Sequence, residues 1–162
     1  MLFYLLYYMQ KRKDGAMQTF LPYEDFKKSA ECLDFKRLGK QRVEAFQIHN
    51  IVSGKRSTGG WLKHPAVLMW QDYADALANY CNTMIYEWIS RGYNNTMKYL
   101  EHAEFFSLPL WLGVEEVHSS HRSNLLRKDS EYYSQFDWSE DDSQEYFWPV
   151  RELKITPLVD KI

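Results

Sequence analysis

Apolar residues recur at helical spacing along most of the chain, and no strand-like alternation persists for any length. Gln18–Tyr23 reads as a short extended lead, with Pro22 placed where a helix is about to start. Helical pattern follows over 24–33 and again over 35–52. Ser53–Gly60 (SGKRSTGG) is a loop by composition. Beyond Pro65, the residues Val67, Trp70, Ala74, Leu77, Cys81, Met84, Ile85 and Trp88 keep i, i+3, i+4 spacing. That stripe predicts a long amphipathic helix ending near Arg91-Gly92, with Gly92 beyond its last turn. Asn94-Asn95 is a break, 96–105 a further short helix, and Pro109–Gly113 a turn. Val114–Tyr133 is helical again, and 137–162 an irregular tail. The expected fold is all-α: a single compact helical domain with a long central amphipathic helix and an irregular C-terminal tail.

Composition narrows the class. A chain of 162 residues with 45% hydrophobic and 26% charged residues forms one domain with a sizeable core, which excludes disorder throughout. Cys32 and Cys81 form no CxxC pair, against a disulfide framework or a cysteine-only zinc site and in keeping with a reducing, cytoplasmic compartment. The first nine residues are apolar or aromatic and precede Lys11-Arg12-Lys13. That run is far short of the roughly 20 residues that span a bilayer. A signal peptide carries its positive charge ahead of the apolar run, not after it. Residues 1–16 therefore read as an extension, or as the product of an upstream start ahead of Met17.

Charge is unevenly placed behind a net value of -2. From Lys36 to Lys63 there are seven Lys/Arg (Lys36, Arg37, Lys40, Arg42, Lys55, Arg56, Lys63) and one acid, Glu44. From Asp129 to Glu145 there are seven acids and no base. A basic patch on a compact domain points to a polyanion partner, with an ordinary solvated face as the alternative. On the helix over 35–52, Lys36, Lys40 and Glu44 share a stripe, with Arg37 and Gln41 beside it. Glu44 is either half of a surface ion pair with Lys40, or an acid kept in a phosphate-binding surface because it works on the substrate. On the helix over 114–133, His118 aligns with Arg122, and His121 with Asn124 and Lys128; Arg127 follows. Such donors suit phosphate oxygens. Two histidines at i, i+3, with His64 as a third, are also compatible with a metal site.

The strings MQTFLPY (17–23), LDFKRLGKQRVE (33–44), HPAVLMW (64–70), RGY (91–93), LWLG (110–113), HSSHRSNLLRKD (118–129) and FWPV (147–150) resemble the bacterial and phage branch of the pyrimidine dimer DNA glycosylase / endonuclease V family. The resemblance runs over 17–150, between the 1–16 extension and a 151–162 tail. It implies an all-α domain that releases the base from a pyrimidine dimer and then nicks the abasic site. The nucleophile it implies is the α-amine at the chain start, and the catalytic carboxylate is the glutamate matching Glu44. An α-amine, with a pKa of about 7.7–8.0, is unprotonated near neutral pH without deep burial. Its attack at C1′ expels the base and leaves an imine, which acidifies C2′ and permits β-elimination of the 3′ phosphate. A carboxylate beside C1′ stabilises the developing positive charge and moves the proton.

The chain departs from that pattern in carrying sixteen residues before MQTFL. The expectation is that Met17 is the functional start, its α-amine retained because Gln18 is too bulky for methionine removal. Lys36, Arg37, Lys40, Gln41, Arg42, His64, His118, His121, Arg122, Asn124, Arg127 and Lys128 are the expected contacts to damaged double-stranded DNA. No metal, no small-molecule cofactor and no membrane partner are expected, and the protein is expected to act as a monomer. Two competing functions are a damage-recognition module without lyase chemistry and a metal nuclease built on His118, His121 and His64.

Overall fold

The computed structural model describes residues 5–7 and 17–151. Within them, α1 (Phe26–Cys32), α2 (Phe35–Val52), α3 (Pro65–Leu68), α4 (Ala74–Ser90), α5 (Glu115–Lys128) and α6 (Ser130–Tyr133) follow in order, with a 3-10 turn over Ser134–Phe136. The fold is all-α. A three-residue antiparallel ladder joins β1 (Leu5–Tyr7) to β2 (Pro149–Arg151), with Leu6 opposite Val150. Three residues are too few for alternation to register in sequence. The rest of the 1–16 extension and most of the 151–162 tail lie outside the described residues.

Side-chain caps start the first helices. Asp25 accepts from the Lys28 amide at 2.7 Å, and Asp34 accepts from the amides of Lys36 and Arg37 at 2.9 and 3.2 Å. Asp34 also holds the Tyr133 hydroxyl at 2.5 Å, which ties the start of α2 to α6. Helices α2 and α4 form the main packed pair, and α1 lies against α4. Their contact depends on a glycine. A Cβ on Gly39 would lie 2.9 Å from the Trp88 ring, so only a residue without one lets the indole sit against α2. The α4 stripe expected from sequence is buried as Leu77, Cys81, Met84, Ile85 and Trp88, and the chain leaves the helix through Gly92 at φ 83°.

The structure corrects three elements. The long helix expected from Pro65 to Arg91 is two helices, separated by 69–73 with Asp72 at φ 72°. The break serves the tryptophans: Trp70 Nε1 donates to Thr19 Oγ1 at 2.9 Å, and Trp111 Nε1 donates to the Met69 carbonyl at 2.7 Å. Met69 and Trp70 remain buried through the turn, so the apolar periodicity carries no trace of it. Residues 96–105 are not helical. Asn82 pairs with both backbone groups of Leu100, at 2.7 and 2.8 Å, in place of helical bonds. The last helical stretch is divided at Asp129, whose side chain caps α6.

The element that positions the site is the lead, residues 17–22, which has no regular structure and is buried along most of its length. Its backbone groups must find partners, and side chains from three helices provide them. Gln41 Nε2 donates to the Gln18 carbonyl at 2.8 Å, and Gln41 Oε1 accepts from the Phe20 amide at 2.9 Å. The Tyr80 hydroxyl lies 2.8 Å from the Phe20 carbonyl. His121 Nδ1 accepts from the Leu21 amide at 2.8 Å, and His118 Nδ1 lies 2.8 Å from the Leu21 carbonyl. Arg122 donates to the Pro22 carbonyl at 2.8 Å.

Candidate active site

Glu44 faces inward at the edge of α2, 8% exposed. Its carboxylate accepts from Gln41 Nε2 at 3.1 Å and pairs with Lys40 Nζ at 3.3 Å. Burial pushes its pKa up, while Lys40, the backbone of Gln18 and the more distant Lys128 pull it back down. The surface pair with Lys40 is thus present, but only its lysine end is solvated: the side chains are 55% and 10% exposed. Because Gln41 bridges Glu44 and Gln18, the carboxylate sits one residue along the chain from Met17, itself buried.

Behind the carboxylate, the Tyr80 hydroxyl lies 2.6 Å from Gln41 Oε1. Burial raises the phenol's pKa well above its usual value, and the Glu44 charge adds to that. Tyr80 is therefore a fixed hydrogen-bonding group that orients Gln41.

The histidines are placed inside the domain. His118 Nε2 accepts from the Gly113 amide at 2.9 Å, so the proton is on Nδ1 and points to the Leu21 carbonyl. His121 accepts at Nδ1 and is fully buried, which lowers its pKa to about 3; it is neutral, with its proton on Nε2. His64 caps α3, its Nδ1 accepting from the Ala66 amide at 3.0 Å. None of the three is on the surface. No group of three or more His, Cys, Asp or Glu side chains able to hold a metal occurs among the described residues. Among the described residues, His118, His121 and His64 do not form such a group.

Several of the expected phosphate-binding side chains are engaged within the protein. Arg37 pairs with Asp34 at 3.3 Å and Asp129 at 3.5 Å and donates to the Lys128 carbonyl at 3.2 Å. Arg42 lies 4.0 Å over the Trp88 ring and donates to Asn95 at 2.7 Å. Arg122 is gripped by Glu140 at 2.6 Å and by Glu115. Burial works against its charge, but those carboxylates outweigh burial and raise its pKa. Arg127 donates to the carbonyls of Asp142 and Gln144 at 2.9 and 2.8 Å and to Asn124, whose own amide donates to Ser120 and Gln144. The acidic stretch folds back along α5, and the bases of that helix hold it. Lys36 and Lys40 are exposed, and Lys128 is half-buried.

Sequence reading missed Gln18, Asp34 and Tyr80 as parts of this arrangement. Asp34 carried a usable signal, an acid directly before the helical pattern that begins at Phe35. For Gln18 and Tyr80 the partners are distant in sequence, and no local spacing marks them.

Comparison with known families gives a match. Residues 17–101, just over half of the chain, match the model for pyrimidine dimer DNA glycosylase. The chain belongs to that family of DNA repair glycosylases, and its partner is damaged DNA. The match includes the lead, Gln41, Glu44 and α4, and ends before α5. No curated protein and no solved structure matches the chain. No helix among the described residues is long and apolar enough to cross a membrane.

Proposed function

We propose that the protein is a bifunctional DNA repair glycosylase, releasing a damaged pyrimidine and then cleaving the strand as an abasic-site lyase, with the α-amine of Met17 as nucleophile and Glu44 as the catalytic carboxylate. The observation that supports this reading most is the single side chain, Gln41, bonded to both Gln18 and Glu44. It fixes a carboxylate beside the residue that follows Met17. In the chain beginning at Met1 the nitrogen of Met17 is an amide without a nucleophilic lone pair, so the reading requires a chain whose first residue is Met17.

In the first step the amine lone pair forms a bond to C1′ and the C1′–N bond breaks, with the electron pair leaving on the base. Loss of a proton from nitrogen and opening of the sugar give the imine. Removal of a C2′ proton then expels the 3′ phosphate. Glu44, its pKa raised by burial, is suited to hold and return a proton in these steps while its charge favours the cationic sugar. In this reading Lys36 and Lys40, both exposed on the same helix, contact phosphates.

Glu44→Gln tests the role of the carboxylate on UV-irradiated and abasic duplexes in the presence of EDTA. The variant is expected to bind damaged duplex at least as well as the wild type while strand cleavage falls by two orders of magnitude or more. Equal nicking by both proteins would leave Glu44 as an ordinary partner of Lys40.

A further inference from the structure

Arg37, Arg42 and Arg122 are half-buried and paired within the protein, and Arg127, though exposed, is bonded to the carbonyls of Asp142 and Gln144, so the remaining positive charge has a different centre from the one expected. Between Glu44 and Asp72 the sequence contains no acid. The loop from α2 to α3 exposes Ser53–Trp61 and Lys63, and with them Lys55 and Arg56. Among the described residues, no acidic side chain pairs with Lys55, Arg56 or Lys63.

The loop also presents an aromatic ring. Trp61 is 39% exposed, and its ring rests 5.2 Å from that of His64. His64 is buried and meets the buried Trp148 edge-on at 5.9 Å. The indole is thus seated on the core with one part open. Backbone bonds shape the loop around it: Arg56 to the Asn50 carbonyl at 2.8 Å, Gly54 to Ile51 at 3.0 Å, and His64 to Trp61 at 3.0 Å. Phe105 and Leu110 are more exposed than Trp61, but Phe105 follows Glu101 and Glu104, charges that repel a phosphate backbone.

We propose that this loop is a second DNA-contacting surface, in which Lys55, Arg56 and Lys63 hold phosphates of the duplex beside the lesion and Trp61 stacks on a base freed from the helix. It rests on the damaged-DNA partner and not on the lyase chemistry. A fixed ring beside cations fits a duplex whose stack is interrupted, because the unpaired base or gap offers a face to the indole.

The test uses the full chain and a duplex carrying a tetrahydrofuran abasic analogue, which cannot form an imine, flanked by 2-aminopurine. Lys55→Gln/Arg56→Gln/Lys63→Gln is expected to flatten the dependence of log K on log salt by about 0.9 for each phosphate that the variant no longer neutralises. Trp61→Ala is expected to weaken binding by roughly tenfold and to abolish the change in 2-aminopurine fluorescence on binding; Trp61→Phe restores both in part. Melting temperatures near wild type show that the variants fold. Wild-type affinity, salt slope and fluorescence response in all three variants would overturn the proposal. Failure of the wild type to bind the duplex at all would remove the DNA partner itself, a different failure.

Discussion

Gln41 Nε2 donates at once to the Glu44 carboxylate at 3.1 Å and to the Gln18 carbonyl at 2.8 Å. Its Oε1 accepts from the Phe20 amide and the Tyr80 hydroxyl. One fully buried side chain therefore sets where the lead, α2 and α4 meet and where the carboxylate points. Gln41→Leu leaves a buried amide and a buried carbonyl without partners. The expected cost is about 2–6 kcal/mol at roughly one to three kcal/mol per orphaned group, read from urea denaturation. A loss below about 0.5 kcal/mol would mean the lead is held by other contacts.

Gly39→Ala introduces a Cβ 2.9 Å from the Trp88 ring, which already stacks on Phe35 and carries Arg42. Overpacking of this kind costs about 1–3 kcal/mol, more than the helix-propensity gain of roughly 1 kcal/mol offsets. Thermal melting is expected to show a net loss of stability. A variant that melts higher than wild type would contradict the close approach of α2 and α4.

The buried histidines make stability depend on pH with a definite sign. Burial lowers the pKa of His121 to about 3, and lowers those of His118 and His49 as well. An unfolded histidine takes up its proton near about pH 6.5. Below that pH the unfolded chain binds protons that the folded one refuses. Stability from His121 is full above about pH 6.5 and is lost as pH falls toward 3, by up to about 1.4 kcal/mol per pH unit, and His118 and His49 add to the loss in the same direction. His121→Asn, which keeps an acceptor for the Leu21 amide, is expected to flatten the fall between pH 6.5 and 5; His121→Leu flattens it too but also lowers stability at pH 7.5. An unchanged slope in both would place the proton uptake elsewhere.

Lys40 opposes the effect of burial on Glu44. Lys40→Met removes that opposition, so the Glu44 pKa rises and the limb of the activity profile that it governs moves to higher pH. The pH dependence of kcat/KM reads this directly. No displacement would mean that another group governs the limb.

Local chemistry made much of the fold legible. Helix α2 appeared with the right ends because its helical pattern over 35–52 gives way to the glycine-rich loop Ser53–Gly60. The α4 stripe was legible because burial on a helix repeats along the sequence. The break at Asp72 was not, since Met69 and Trp70 stay buried on both sides of it. Glu44 stood out as the lone acid in a basic run, a contrast visible in sequence. His118, His121 and Arg122 were legible as a polar cluster but not as a clamp on Leu21 and Pro22, because those partners lie about a hundred positions away. Arg127 and Asn124 were read as free donors for the same reason: the chain that returns to them, around Gln144, has no marker except its charge.

Borohydride trapping tests the central chemistry most directly. The 17–162 protein is incubated with abasic duplex DNA and borohydride, and the cross-linked peptide is mapped. A covalent adduct on the α-amine of Met17, absent or strongly reduced with Glu44→Gln, is the expected result. An adduct on a lysine, or none from a protein that still binds and nicks the duplex, would contradict it.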